Sequence, residues 1–337
     1  MQIHTNMSLR SFNTFGVEVT AARYVGIDTE AEIDDAVGEL DVSVGACTIL
    51  GGGSNTLFVD NVPGTVLHLR IRGMDVVDDD GQDVWVRVMA GETWDDFVAV
   101  SVANGWSGIE NLSLIPGSVG ASAVQNVGAY GVEAGDVIHR VEVVRLASGE
   151  KFSLAGDECG FGYRFSHFKG CWAGRYLIRA VVFRLRRKPR WVLDYPGVAD
   201  VVRTFGRPSL ENIRRAIISI RREKLPDPKH IGNAGSFFKN PVVGADVFQN
   251  LIRNHADMPH YPQADGRIKL AAGWLIDHCG WKGRRAGQVA VHDRQALVLV
   301  NLGGATGQEI LELSERIRRS VHERFGVRLD REVTVVP

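Results

Sequence analysis

The chain has 337 residues, of which 45% are hydrophobic, so it can fill the cores of two or three globular domains. Its 39 basic and 40 acidic residues give a formal charge of -1, and no run of one sign predicts binding to nucleic acid or to an anionic membrane surface. No apolar run approaches the ~20 residues of a membrane-spanning helix, and the first residues lack the pattern of a secretory signal. We therefore expect a cytoplasmic monomer that has no metal site and binds neither membranes nor nucleic acid.

Strands outnumber helices in the first 187 residues. Short apolar runs bounded by turn residues predict strands at 22–27, 47–50, 84–89, 141–146 and 177–185. One helix is predicted at 30–40. A second helix is predicted to begin after Thr93, with Asp96 in a variant capping box, and to end at Gly105.

The remainder of the chain contains most of the predicted helices. Prolines and glycines at 188–208 predict a long connecting loop or domain crossing, and Ser209 is the expected N-cap of the helix that follows. Further helices are predicted at 246–254 and 269–279, and another is predicted to begin at a capping box of Thr306 and Glu309. A strand is predicted at 296–302. The alternation of residues 327–337 predicts a last strand that places Glu332 opposite the apolar side chains.

Two glycine-rich segments stand out. In the segment 51–55, three glycines and Ser54-Asn55 follow a predicted strand, so backbone N–H groups could converge on a phosphate. The segment fits neither the Walker A pattern nor the dinucleotide fingerprint, and a simple turn between two strands is the alternative. The segment 115–131 has glycines, alanines and amides with almost no charge, which favours an extended backbone around a large ligand. Two such segments together indicate a dinucleotide.

These segments belong to an ordered series of motifs. The series consists of NTFG (13–16), GGGSN (51–55), IPGSVG (115–120), QNVGAYG (125–131), FGYR (161–164), GNAGSFFKNP (232–241) and AGWLID (272–277). The chain resembles the UDP-N-acetylenolpyruvoylglucosamine reductases, the MurB family, over these positions, and further similarity extends to Glu332.

The resemblance implies an α+β protein with an FAD-binding fold of the vanillyl-alcohol-oxidase (PCMH) type. This fold has two FAD-binding subdomains, followed here by a C-terminal α+β substrate-binding domain. We expect the first subdomain at 1–72, joined by the C-terminal strand at 327–337. The second subdomain is expected at 73–208 and the substrate-binding domain at 209–326.

The resemblance also implies non-covalent FAD as the cofactor, NADPH as the hydride donor and a nucleotide sugar as the substrate. The implied reaction reduces the enolpyruvyl group of UDP-N-acetylglucosamine enolpyruvate to give UDP-N-acetylmuramate, a peptidoglycan precursor. The positions that match FAD contacts are Gly51, Gly52, Gly53, Ser54, Asn55, Pro116, Gly117, Ser118, Gly120, Ala121, Asn126, Gly128, Ala129 and Tyr130.

Three residues match the catalytic positions of the family. Ser236 matches the serine that gives a proton to the substrate carbanion, and Arg164 and Glu332 match the pair at the substrate carboxylate. A fixed guanidinium can stabilise the enolate that follows hydride transfer, and a neutral carboxylic acid could donate a hydrogen bond to it. The positions that match contacts with the nucleotide-sugar diphosphate and its surroundings are Tyr195, Lys224 and Asn240.

The chain departs from the family pattern at two positions. Phe165 stands where an acidic residue is expected after the arginine, so Arg164 requires another partner. Arg331 replaces a frequent proline before Glu332, a change that affects strand entry more than chemistry. Two other functions stay open: a flavin oxidase or dehydrogenase acting on another small substrate, and a nucleotide-binding module without turnover.

Overall fold

The structure is a computed structural model that describes residues 1–39 and 47–337. Residue 40, the last of the helix predicted at 30–40, lies outside the described residues. The chain forms two compact units. The first comprises residues 1–7, 21–53 and 62–223, and the second comprises residues 8–20, 54–61 and 224–337.

Strands and helices are interspersed throughout the described ranges. The strands are β1 (Gln2–Ser8), β2 (Thr20–Ile27), β3 (Cys47–Leu50), β4 (Thr56–Phe58), β5 (Val62–Leu69), β6 (Met74–Asp79), β7 (Asp83–Met89), β8 (Gly128–Ala129), β9 (Val132–Glu133), β10 (Ile138–Arg145), β11 (Lys151–Ala155), β12 (Tyr176–Arg186), β13 (Gly232–Ser236), β14 (Val242–Val243), β15 (His260–Pro262), β16 (Ile268–Leu270), β17 (Arg285–Ala286), β18 (Val289–Val291), β19 (Val298–Asn301) and β20 (Thr334–Val336). The α-helices are α1 (Glu30–Glu39), α2 (Trp94–Ala103), α3 (Val119–Gln125), α4 (Val198–Phe205), α5 (Leu210–Lys224), α6 (Ala245–Asn254), α7 (Ala272–His278) and α8 (Gly307–Phe325).

The first unit contains two sheets and a small hairpin. A four-stranded sheet has the order β1-β2-β5-β3, in which β5 pairs parallel to both β2 and β3. A five-stranded antiparallel sheet has the order β11-β10-β12-β7-β6. The central strand β12 buries four consecutive residues, Ala180 to Phe183, which indicates that this part of the strand is covered on both faces.

Helix α2 packs its aromatic side chains against this five-stranded sheet. Trp94, Phe97 and Phe183 are fully buried, and the ring centroids of Phe97 and Phe183 lie 4.8 Å apart. The indole N–H of Trp94 donates to the carbonyl of Leu112 at 3.0 Å, so its one polar atom is satisfied. Each buried aromatic side chain contributes about 2 kcal/mol of hydrophobic stabilisation, so these contacts fix α2 firmly beneath the sheet.

The second unit is built around short strands and the long helix α8. Its sheets have the orders β13-β19-β18-β17 and β14-β16-β15, and the last strand β20 pairs parallel with β4. Helix α8 has the predicted capping box, since Thr306 Oγ1 accepts from the Glu309 N–H at 3.2 Å, and it ends at left-handed Gly326. Gly307 lies against the backbone of β4, because an added Cβ would meet the Phe58 carbonyl oxygen at 1.8 Å.

Several local predictions are confirmed and others are wrong. The N-cap at Ser209 is confirmed, since its hydroxyl accepts from the N–H of Asn212 at 3.1 Å. The capping box after Thr93 is wrong, because the Thr93 side chain makes no capping bond. The segment 188–208 is only partly a loop, because α4 buries Val198 and Val202 within it. Prolines and glycines at its ends concealed this short helix.

Residues 327–337 form less regular strand than predicted. Only Thr334–Val336 is a strand, whereas Val327, Leu329 and Val333 are buried in irregular backbone. The apolar positions therefore reflect burial rather than continuous pairing. The proposed domain limits stay predictions.

In the ranges that the structure describes, no helix combines the length and the apolar character needed to cross a membrane.

Candidate cofactor and substrate site

The two glycine-rich segments face each other in the first unit. A Cβ added at Gly51 would lie 2.4 Å from Ser118 Oγ, and one added at Gly52 would lie 2.8 Å from the Gly117 Cα. A side chain at Gly51 would therefore displace the Ser118 hydroxyl, and one at Gly52 would displace the opposite backbone at Gly117. The sequence places glycine here because the two loops approach within main-chain contact.

These glycines line a cavity of about 710 Å³ whose other wall is polar. Arg72 lies in this wall and donates to Glu92 Oε1 at 2.9 Å and to Thr93 Oγ1 at 3.1 Å. Arg70 also lines the cavity and pairs with Asp28 at 2.6 Å. Cationic side chains and exposed peptide groups in one cavity are suited to a phosphate-bearing ligand.

A neutral histidine completes the cavity wall. Burial, followed by the nearby charge of Arg70, lowers the pKa of His68 to about 4. Its Nδ1 lies 2.7 Å from the hydroxyl of Tyr24, which is buried beside it. His68 therefore carries no charge at neutral pH, and the cations of this wall are its arginines.

The segment that follows the second glycine loop is held by a buried asparagine. Asn126 adopts a left-handed conformation with φ of 45° and is 1% exposed. Its side-chain amide donates to Glu133 at 2.7 Å and to the Gly162 carbonyl at 2.9 Å, and its oxygen accepts from the Gly135 N–H at 2.8 Å. Because side-chain bonds hold Asn126, the conformation of the adjoining β8–β9 hairpin is fixed in advance of any ligand.

Arg164 lies at the tip of a tight turn in the first unit. The N–H and carbonyl groups of Gly162 and Phe165 bond to each other at 3.0 Å, and Arg164 has a φ of 52° between them. Its guanidinium donates to the Gly128 carbonyl at 2.5 Å. The first departure from the family pattern is Phe165, which stands where an acidic residue is expected after the arginine. The Gly128 carbonyl is therefore one partner that holds Arg164 in this chain.

Phe165 itself turns toward a different part of the first unit. Its ring centroid lies 6.3 Å from that of His167, and an added Cβ at Gly170 would lie 2.7 Å from the Phe165 ring. The side chain is 40% exposed. The substitution thus replaces a charge with a packing contact and leaves the turn intact.

Tyr195 lies against the tip of the β8–β9 hairpin. Its ring meets the Tyr130 ring edge-on, with centroids 5.2 Å apart, and it is 44% exposed. Tyr130 has a φ of 50°, which places its side chain at the turn. Burial raises the pKa of the Tyr130 hydroxyl, although Arg221 beside it acts in the opposite direction.

Ser236 follows an irregular step in β13 of the second unit. The pairing of β13 with β19 shifts between Asn233 and Ser236, and Gly235 lies in the left-handed region with φ of 68°. The Asn233 side chain holds this step, since its oxygen accepts from the Gly235 N–H at 2.9 Å. Such a bulge redirects the next side chain, and it presents Ser236 from a strand that pairs with β19.

Glu332 lies on backbone that pairs with the residues after Ser236. The Glu332 N–H donates to the Phe237 carbonyl at 2.8 Å, and Phe238 forms an antiparallel bridge with Arg331. Asn55 also holds this backbone. Its side-chain amide donates to the Glu332 carbonyl at 3.2 Å, and its main-chain carbonyl accepts from the Thr334 N–H at 3.0 Å. The second unit therefore brings together the sequence-predicted residues Asn55, Ser236 and Glu332.

Arg331, the second departure, anchors this backbone to α8. Its guanidinium forms an ion pair with Glu315 and donates to Ser314 Oγ at 3.2 Å. Burial lowers the pKa of Arg331. A proline at this position would restrict the entry of the strand through its ring, whereas here an ion pair fixes the residue before Glu332.

The two remaining residues predicted to bind the substrate, Asn240 and Lys224, differ in burial. Asn240 is partly buried, and its side-chain oxygen accepts from the Ala272 N–H at the start of α7 at 3.0 Å. It therefore supports the AGWLID motif directly. Lys224 is exposed at the end of α5.

Three charged residues of the first unit, Asp95, Arg214 and Arg221, lie outside the motifs of the sequence but make close contacts in the structure. Asp95 receives two hydrogen bonds from Arg214, at 2.6 and 3.0 Å, and Arg221 reaches the Leu114 carbonyl at 3.2 Å. A signal was present, because Arg214 and Arg221 are two helical turns apart on α5 and therefore share a face. The capping-box pattern selects Asp96, whereas the carboxylate that accepts from Arg214 is that of its neighbour Asp95.

Comparisons with known proteins agree with this geometry. The model for the UDP-N-acetylenolpyruvoylglucosamine reductase C-terminal domain matches residues 227–336, and the model for an FAD binding domain matches residues 21–155. UDP-N-acetylenolpyruvoylglucosamine reductase from Chromobacterium violaceum is 46% identical, over 100% of this chain and 99% of its own length. The reductase from Bacteroides fragilis is also 46% identical, over 98% of each chain.

A solved structure shows the same fold. The crystal structure of UDP-N-acetylenolpyruvylglucosamine reductase (MurB) from Thermus caldophilus matches with a TM-score of 0.66 and 27% identity, over 100% of this chain and 98% of that one. With the FAD binding domain match, this confirms the predicted α+β architecture and FAD as the cofactor. The chain belongs to the UDP-N-acetylenolpyruvoylglucosamine reductase family and is an FAD-dependent oxidoreductase of peptidoglycan precursor synthesis.

Proposed function

We propose that this enzyme uses NADPH to reduce the enolpyruvyl double bond of UDP-N-acetylglucosamine enolpyruvate, giving UDP-N-acetylmuramate and NADP⁺. The reaction adds a hydride to the methylene carbon and a proton to the adjacent carbon, so one NADPH and one proton are consumed. We place the enzyme in the cytoplasm as a monomer, with its domains divided as the sequence analysis expects.

The residues of the first unit fit a non-covalently bound FAD. The close approach of Gly52 to Gly117 leaves main-chain groups as the lining of the cavity, and Arg70 and Arg72 add positive charge. A bound FAD would supply the redox chemistry that carries a hydride from NADPH to the substrate, and the residues of this cavity would hold it. The cofactor-binding residues that we propose are the fourteen carried over from the family, from Gly51 to Tyr130.

Arg164 is proposed to stabilise the charge that develops on the substrate carboxylate. Its hydrogen bond to the Gly128 carbonyl fixes one edge of the guanidinium. A fixed donor of this kind typically lowers a barrier by about 3 kcal/mol.

Ser236 is proposed as the proton donor to the carbon next to the carboxylate, and Glu332 as a hydrogen-bond donor to the enolate oxygen. The main-chain bond from Glu332 to Phe237 supports this pairing, because it holds the two residues on neighbouring backbone segments. This backbone pairing is the observation that carries the proposal. Groups mounted on paired strands retain their geometry through the reaction, which favours preorganised catalysis.

Substrate binding is proposed to involve Tyr195, Lys224 and Asn240. Tyr195 is exposed beside the hairpin, and the ammonium of Lys224 is free to meet a diphosphate. Asn240 holds the start of α7, so its role toward the nucleotide sugar includes positioning of that helix.

The test is Ser236→Ala, followed through both half-reactions by flavin absorbance. We expect NADPH to bleach the variant at the wild-type rate. Reoxidation by UDP-N-acetylglucosamine enolpyruvate should slow by roughly three orders of magnitude, because the proton donor has been removed. Ser320→Ala, on α8, is the matched control and should leave both half-reactions unchanged.

Three other outcomes would contradict parts of this proposal. Unchanged reoxidation in Ser236→Ala would remove Ser236 from the mechanism while retaining the flavoenzyme. A wild-type enzyme that oxygen reoxidises but this substrate does not would favour a flavin oxidase. Failure of NADPH to bleach the wild-type flavin would exclude it as the reductant.

A further inference from the structure

Charged side chains hold both the N–H and the carbonyl group of Leu114, which lies immediately before the second glycine-rich segment. We call these two contacts the clamp. Leu114 has a φ of 60°, a left-handed conformation that strains a residue with a branched side chain. Its N–H donates to Asp95 Oδ1 at 2.5 Å, and its carbonyl accepts from Arg221 Nε at 3.2 Å. Two charged side chains thus stabilise a backbone conformation that leucine alone disfavours.

Asp95 is itself fixed from helix α5. Arg214 donates to both of its carboxylate oxygens, at 2.6 and 3.0 Å. Burial favours the protonated form of Asp95, but the bonds from Arg214 and from the Leu114 N–H outweigh it, so the pKa of this carboxyl is lowered. Asp95 therefore remains an anionic acceptor at neutral pH.

Arg221 links the two ends of the segment from Leu114 to Tyr130. Besides donating to the Leu114 carbonyl, Arg221 lies beside the Tyr130 side chain. Burial lowers the pKa of Arg221, whereas the charges of Tyr130 and Asp95 oppose this shift. Burial of a cation destabilises the folded protein, because the charge loses its hydration. This cost is explained if Arg221 fixes the segment between Leu114 and Tyr130.

We propose that Asp95, Arg214 and Arg221 are positioning residues that hold the segment 114–130 in its FAD-binding conformation. The inference rests on the proposed placement of FAD at the glycine loops. With the clamp in place, FAD meets a loop already ordered, and the strained turn at Leu114 does not have to form during binding. Without it, part of the binding free energy is consumed in ordering the loop, so FAD affinity falls.

Asp95→Ala tests the clamp by titration of FAD into flavin-free protein, with flavin fluorescence as the signal. We expect the Kd for FAD to rise at least tenfold. Asp96→Ala is the matched control, because Asp96 is the exposed neighbour on the same turn of α2. It should leave the Kd within twofold of wild type.

Leu114→Gly distinguishes positioning from general destabilisation. Glycine adopts positive φ without strain, so the clamp has less to hold in this background. Asp95→Ala should then change the Kd by less than threefold, although the loss of the Arg214 partner still lowers the Tm. An equal loss of affinity in both backgrounds would overturn the inference, as would an unchanged Kd in Asp95→Ala. If Asp95→Ala does not fold, Asp95→Asn enters the same cycle.

Gly52→Ala separates this inference from the function on which it rests. An added Cβ at Gly52 would meet the Gly117 Cα at 2.8 Å, so this variant should lose FAD if the loops bind it. Weak FAD binding in Gly52→Ala together with normal binding in Asp95→Ala would overturn the clamp alone. Normal binding in Gly52→Ala would overturn the placement of FAD and the clamp with it.

Discussion

The glycine-loop cavity of the first unit and the paired strands of the second unit are built in opposite ways. At the cavity, the proposed binding of FAD depends on side chains that are absent, because Gly51 and Gly52 permit the loops to approach. At the paired strands, the proposed chemistry depends on side chains that project from backbone already fixed by hydrogen bonds, as at Ser236 and Glu332. The first site is therefore intolerant of added atoms, and the second is intolerant only of lost functional groups.

This difference explains why the two regions should respond separately to mutation. We expect a Cβ added at Gly52 to displace the Gly117 main chain and to weaken the binding of FAD. We expect removal of a side chain from the paired strands to leave the Glu332–Phe237 backbone bond intact, so that cofactor binding and folding continue while the chemistry is impaired.

After Ser236→Ala, the largest effect is expected from Glu332→Ala. Loss of the proposed hydrogen-bond donor should slow flavin reoxidation by the substrate by about 10²- to 10³-fold, the usual consequence of removing one such donor. Bleaching by NADPH and the Kd for FAD should not change. Stopped-flow absorbance of both half-reactions would measure this, with Glu323→Ala on α8 as the control. A parallel loss of FAD affinity would break the separation between the two regions.

A smaller effect is expected from Gly120→Ala. The added Cβ would lie 2.8 Å from the Ala90 Cβ and 3.2 Å from the Ala90 carbonyl oxygen, so α3 must shift away from β7 and its adjoining turn. Although alanine favours helix, we expect about a tenfold higher Kd for FAD and a lower Tm. Gly38→Ala lies in α1, and no atom of the residues that the structure describes lies within 4 Å of the added Cβ, so this variant should instead be neutral or slightly stabilising. If both variants bind FAD normally, the close approach at the cavity is not required.

The smallest effect concerns pH and His68 in the cavity wall. Its pKa is about 4 in the folded protein and about 6.5 in the unfolded chain, so the unfolded chain binds the extra proton between these values. Stability should therefore fall as the pH decreases from 6.5 toward 4. Urea unfolding at pH 7 and pH 5 should show about 1 to 2 kcal/mol more loss for wild type than for His68→Gln. Equal losses would show that His68 is not held neutral.

The sequence alone determined the elements whose signals are local. Apolar alternation predicted the central strands of the five-stranded sheet, and the capping residues Ser209 and Thr306 marked the starts of α5 and α8. The helix starts were predicted because hydrogen bonds within a few residues decide them, and the strands were predicted because their apolar side chains record burial in the core. The ordered motifs also identified the family, since each one is specific and their order adds to that specificity.

The tertiary structure decided which distant residues meet. Nothing in the local pattern states that Gly52 lies against Gly117, that Arg164 bonds to the Gly128 carbonyl, or that Asp95 and Arg221 clamp Leu114. Helix α4 was missed and residues 327–333 were assigned too much strand for the same reason. Apolar periodicity records burial, but burial and pairing depend on which surfaces pack against a segment, and long-range packing sets those surfaces.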